Sequence, residues 1–140
     1  MDTEVLHKEI DLIQGVINRM ASNSFVLKGW LISLIAVVLA LSKDSLFSCN
    51  TIFVCSILCF PILVFWYLDA FYLHKEKCFR ALYEWVIKNR MSTNENIYSL
   101  DYRPYQKQVN SQFRIMFSKT LLPFYGLSFI LLIILILIIK

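Results

Sequence analysis

Asp69 is the one ionisable side chain well inside an apolar run of this chain, between Leu68 and Ala70. A carboxylate in hydrocarbon is costly and is as a rule paired. Two uses fit it. It can form a structural ion pair with Lys28, whose ammonium can snorkel to the same level, or it can belong to a ring of Asp69 side chains at an oligomeric pore mouth. Both readings put Asp69 and Lys28 at a membrane edge. A second group, Tyr98, Tyr102, Arg103, Tyr105 and Lys107, mixes aromatic and basic side chains on one stretch. Stacking with positive charge suits a nucleotide or a single strand, and tyrosine-rich loops also pack on the surface beneath them. This stretch is a candidate ligand or partner loop, and direct nucleic-acid binding is not expected.

The remaining reactive side chains do not assemble into a reaction centre. His7 and His74 lack metal-like spacing with cysteine or acidic residues, and zinc needs at least three such ligands. The glycines are Gly15, Gly29 and Gly126, so there is no glycine-rich phosphate loop. No serine or cysteine has a local base to activate it. Cys55 and Cys59 are four apart on one helix face, where small packing residues serve as well as metal or redox groups. Cys49 and Cys78 stand near opposite ends of the same segment, too far apart to bridge. The expectation is a chain with no catalytic residues, no metal and no cofactor: not an enzyme.

The elements that position Asp69 and Lys28 are membrane elements. The chain has 140 residues, 58% of them hydrophobic, a mean hydropathy of +0.60 and a net charge of +4. Soluble domains lie nearer 45–50% apolar, and too little chain remains beyond the apolar runs for a separate enzymatic domain. Residues 51–73 carry one formal charge, no Gly, and enough apolar length to cross the roughly 20-residue hydrocarbon core. Pro61 lies inside this run, where membranes tolerate it. No helix stop separates the run from the charged stretch that follows, which carries Lys75, Glu76, Lys77, Arg80, Glu84, Lys88 and Arg90. One rod leaves the bilayer and projects into water.

Residues 1–24 show helical periodicity, with Leu6, Ile10, Ile13, Ile17 and Met20 on one face and Glu4, Lys8, Asp11, Gly15, Asn18 and Ser22 opposite. The polar face mixes both signs, which favours packing on a protein helix over lying on lipid. The natural partner is the rod's stripe of Phe79, Leu82, Tyr83 and Val86. This charged beginning lacks the apolar run of a secretory leader. Residues 25–42 read as a first span, with Trp30 at the interface and a stripe of Gly29, Ser33, Ala36 and Ala40. That stripe suits either close helix packing or the wall of a polar path. Ser42 to Asn50 is short enough to make the first two spans an antiparallel hairpin. Residues 74–119 form a cytosolic helix and loop. Within it Ser92 to Glu95 has the spacing of a capping box, and Val109, Phe113, Ile115 and Phe117 suit either a short strand or the lead-in to the last helix. Residues 120–139 read as a third span of almost pure Leu and Ile, with Pro123 in its first turn.

The fold class expected is therefore an all-α membrane protein with three transmembrane helices. Lys and Arg number three on the N-terminal side, counting Lys28 near the start of the first span, one in the first connection, nine between the second and third spans, and one at the end. The basic excess marks the cytoplasmic side, which puts the N-terminus inside and, with three crossings, the C-terminus outside.

Two runs also carry a resemblance. Ile13 to Trp30 (IQGVINRMASNSFVLKGW) and Phe65 to Tyr83 (FWYLDAFYLHKEKCFRALY) look like small bacterial membrane proteins and are similar in arrangement to the SLATT group. These are two-helix membrane effectors found beside nucleotide second-messenger and other anti-phage genes. The resemblance spans Ile13 to about Arg90. It implies an oligomeric effector that perforates or depolarises the bacterial inner membrane when infection is sensed. A homo-oligomer in the bilayer, with a nearby cytosolic sensor or second-messenger enzyme, is the implied setting. A subunit that recruits such an enzyme is the alternative.

Overall fold

The computed structural model describes residues 3–41, 51–93 and 95–139. Two 39-residue helices dominate: α1, Thr3–Leu41, and α2, Thr51–Asn89. A 3-10 helix, Arg103–Gln108, a short helix α3, Gln112–Met116, and α4, Leu122–Ile139, complete the chain. The connection Ser42 to Asn50, and Cys49 within it, lie outside the described residues, as does the side chain of Cys55.

α1 and α2 are antiparallel in one fixed register: Glu9 meets Arg90 at one end, and Lys28 meets Asp69 further along. The first half of α1 coils through the expected amphipathic stretch and passes Ser24 without interruption. Its apolar stripe packs where periodicity places it. Ile13, Val16 and Ile17 are buried against Phe79, Leu82 and Val86, with Leu6, Ile10, Met20 and Tyr83 at the margin. Full burial of each such side chain contributes about 1.5–3 kcal/mol. α2 likewise runs through Pro61 and continues past His74 as one rod.

A second core lies further along the pair. Leu31 of α1 and Ile62, Trp66 and Ala70 of α2 are covered by Ile115, Leu121 and Tyr125. Tyr125 stacks on Trp66 with centroids 5.7 Å apart, and Phe117 meets the same indole edge-on at 5.3 Å. The Trp66 indole N–H donates to the Met116 carbonyl at 2.9 Å. Trp66 is therefore the post on which α3 and the start of α4 are hung. The stretch left open between strand and lead-in is a 3-10 turn followed by a helical turn, with Ile115 inward and Phe113 and Phe117 outward. Around the expected capping box the chain turns instead of starting a helix: Ser92 Oγ donates back to the Asn89 carbonyl at 2.7 Å and closes α2.

The number of spans is corrected. Among the described residues two helices are long and apolar enough to cross a membrane, not three. α4 is 18 residues long, about 27 Å at about 1.5 Å per residue against a hydrocarbon core of about 30 Å, and its described apolar part is Leu122–Ile134. The expected C-terminus outside required the third crossing and falls with it.

The apolar parts of α1 and α2 are largely uncovered within this chain. Only 11% and 22% of their most apolar windows are buried. Phe25, Trp30, Ile32, Val37, Phe60, Leu63 and Val64 all stand exposed. The chain is a small all-helical protein with two long apolar helices, which fits a membrane-associated role.

Candidate functional site

The site forms where α1, α2 and α4 meet. Ser24 and Lys28 are four apart on α1 and so share a face; Asp69 comes from α2 and Tyr125 from the first turns of α4. Lys28 Nζ lies 2.5 Å from Asp69 Oδ2. The Ser24 hydroxyl donates to Asp69 Oδ1 and accepts from Lys28 Nζ at 2.9 Å. The Tyr125 hydroxyl donates to Asp69 Oδ2 at 3.0 Å, with the Phe65 carbonyl as a second acceptor at 3.2 Å. Asp69 is fully buried, whereas the Lys28 side chain keeps 23% of its surface. Burying a carboxylate without partners is costly. Here three donors from two other helices meet it, and each hydrogen bond to a charged group is worth about 1.5–3 kcal/mol.

Asp69 thus points into the protomer, toward α1 and α4. The node ties three helices together. Among the described residues no three His, Cys, Asp or Glu side chains could hold a metal ion. Sequence reasoning missed Ser24 and Tyr125. The signal for Tyr125 was present: a phenol in an apolar helix needs a partner for its O–H.

At the far end of the α1–α2 pair is a second buried ion pair, also missed. Arg90 grips Glu9 with both arms of its fork, Nε to Oε2 at 2.7 Å and Nη2 to Oε1 at 2.5 Å. The same guanidinium donates to the Glu95 carbonyl at 2.5 Å and lies 5.3 Å from the Trp85 ring centre. The Tyr98 backbone N–H completes the Glu9 carboxylate at 3.2 Å, and Asn96 and Tyr98 adopt positive φ to bring it there. Both charges lie on the apolar stripes, Glu9 one turn before Ile13 and Arg90 one turn after Val86. Charge on an apolar stripe signals an internal partner.

The aromatic-basic loop divides. Tyr102 packs on Phe79 at 5.1 Å and its hydroxyl accepts from Lys75 Nζ at 2.6 Å. Tyr105 leans on Trp85, and burial raises its phenol above the usual tyrosine range. These two tyrosines hold the loop onto α2. Tyr98 lines an open pocket with Lys8, Asp11 and Leu12, while Arg103 and Lys107 are exposed. The five residues do not converge on one ligand position.

The small-residue stripe is open too. Gly29, Ser33, Ala36 and Ala40 are exposed, and α1 meets α2 through Leu31 and Ile35 instead. A methyl group at Gly29 would touch nothing within 4 Å, so close backbone approach is not used there within the protomer.

No family model, curated protein or solved structure matches this chain.

Between the two ion pairs, His74 sits against Cys78, whose sulfur lies 3.9 Å from Nε2. Burial, then the charges of Lys75 and Lys77, hold the imidazole below its ordinary pKa. Burial outweighs Lys75 at Cys78 and raises the thiol, so this cysteine is an inert packing group.

Proposed function

We propose that the protein is a non-enzymatic helical hairpin that crosses the bacterial inner membrane twice and, as a homo-oligomer, permeabilises or depolarises it in anti-phage defence. The observation that carries the membrane part is the sharp change along both helices. Beyond Lys28 on α1, and before Asp69 on α2, there is no formal charge, and most of the described apolar side chains face outward. On the other side lie the charged, packed halves with the Glu9–Arg90 pair. The basic excess of those halves favours the cytoplasmic side.

The effector part rests on the SLATT-like wording of Ile13 to Trp30 and Phe65 to Tyr83. The exposed stripe from Gly29 to Ala40 supports assembly, because small residues let helices approach closely in lipid. In this reading the cytosolic halves sense a partner or a second messenger, and the Lys28–Asp69–Tyr125 node holds the spans closed until then. Unregulated expression should collapse membrane potential, read with a voltage-sensitive dye, and arrest growth. Intact potential at high expression, with its genomic neighbours and phage present, sinks the effector reading.

One observation favours the rival, a passive subunit that recruits a cytosolic defence enzyme. Two serine hydroxyls in the apolar region are satisfied within their own helices, Ser33 to the Gly29 carbonyl and Ser128 to the Phe124 carbonyl, both at 3.0 Å. Neither lines a polar path in this protomer.

A further inference from the structure

The turn that joins the soluble half to α4 has a composition that neither span explains. From Tyr102 onward the chain carries Arg103, Lys107, Arg114, Lys119 and Lys140, and no Asp or Glu. Within this stretch Ile115 and Leu121 are buried anchors, while Phe113 and Phe117 are 70% and 62% exposed. Arg114 and Lys119 are exposed beside them and have no ion-pair partner among the described residues. The depth of the turn is set by three contacts: the Trp66 indole on the Met116 carbonyl, the Gln112 amide on the Tyr67 carbonyl at 3.3 Å, and Tyr125 on Asp69. It therefore sits beside the Lys28–Asp69 pair, at the level where Phe25, Trp30 and Tyr67 also stand exposed. Exposed aromatic side chains from three helices at one level mark the water–hydrocarbon boundary.

We propose that α3 and the turn after it form a collar that binds anionic phospholipid headgroups of the cytoplasmic leaflet. Arg114 and Lys119 engage headgroup phosphates while Phe113 and Phe117 enter the acyl boundary. The proposal rests on the reading that α1 and α2 cross the bilayer. Charge complementarity selects the occupant: a stretch with cations and no carboxylate matches an anionic surface, and each cation near such a surface contributes on the order of a fivefold preference. A protein partner covering two phenylalanines would not require the accompanying unopposed charge.

The test uses the full chain in vesicles of phosphatidylcholine and phosphatidylglycerol, with bromine on the acyl chains of one lipid at a time. Quenching of tryptophan fluorescence reports which lipid sits beside Trp30 and Trp66. The wild type should be quenched preferentially by brominated phosphatidylglycerol. Arg114→Gln with Lys119→Gln should lose about fivefold of that preference per charge removed, and Arg114→Lys with Lys119→Arg should keep it. Phe113→Ser with Phe117→Ser should reduce quenching by both lipids. Equal quenching by the two lipids, or an unchanged preference in the Gln variant, overturns the proposal. So does loss of the preference in inorganic phosphate but not in chloride of the same ionic strength, which assigns the cations to a soluble anion. Disulfide formation between copies carrying Phe117→Cys, with Phe117 shielded from lipid, overturns it in favour of a second copy. Alkaline carbonate washing separates the two readings: a protein that resists it but shows no lipid preference loses only the collar, and one that is released loses the crossing as well.

Discussion

At Asp69 the balance between desolvation and pairing decides what a substitution does. Lys28→Leu leaves the carboxylate buried and short of its cation, and breaking a buried pair costs about 3–5 kcal/mol. Exposure at Lys28 brings the loss toward the lower end of that range. Lys28→Leu with Asp69→Leu should recover most of the loss in thermal stability measured in detergent. If the double variant is no better than Lys28→Leu alone, the pair is not what holds α1 to α2 at this level. Tyr125→Phe removes one donor to a charged acceptor and should cost about 1.5–3 kcal/mol. Stability equal to wild type would show that Ser24 and Lys28 suffice. His74 gives a pH signature of its own. Its folded-state pKa is depressed by burial and by Lys75 and Lys77, so the folded protein binds fewer protons than the unfolded chain. Its contribution is intact above the ordinary histidine pKa of about 6.5 and is lost as pH falls below it. The melting temperature should drop on acidification below that value, and His74→Gln should flatten the drop; an unchanged slope would remove His74 as its source.

Among the elements, the α1–α2 pair was the most legible from sequence, and the reason is periodicity. Leu6, Ile10, Ile13 and Ile17 repeat at helical steps opposite Phe79, Leu82 and Val86, so contact face and partner follow from spacing alone. Ile13→Ala or Val86→Ala, both at fully buried positions, should cost about 2–5 and about 1–3 kcal/mol, measured by chemical unfolding. Values near zero would mean that the soluble halves do not pack. The Lys28–Asp69 pairing was readable because a charge in an apolar run demands a partner and only one cation lies at that depth. Glu9 and Arg90 escaped because charged residues abound on both helices, and only their position on the apolar stripes sets them apart. α4 was misjudged on its length: Leu and Ile make it lipid-compatible, but its 18 residues reach about 27 Å at about 1.5 Å per residue, short of the hydrocarbon core of about 30 Å. Residues 109–117 were unreadable because their anchor, Trp66, lies far back in the chain.

For the whole molecule the central claim is a hairpin that crosses the bilayer twice, with the charged halves of α1 and α2 on the cytoplasmic side. Exposure of the apolar halves, the charge boundary at Lys28 and Asp69, and the aromatic girdle at that level all follow from this one arrangement. Gating, oligomer formation and the anionic collar each presuppose it. The most direct measurement is thiol labelling of intact cells with a membrane-impermeant maleimide, in chains whose four native cysteines are replaced by alanine and one cysteine is introduced. Ser45→Cys, in the connection between the helices, should label in intact cells. Gln14→Cys and Gln108→Cys should label only after lysis. Labelling of Gln108→Cys in intact cells, or failure of Ser45→Cys to label before lysis, would contradict the two-crossing hairpin.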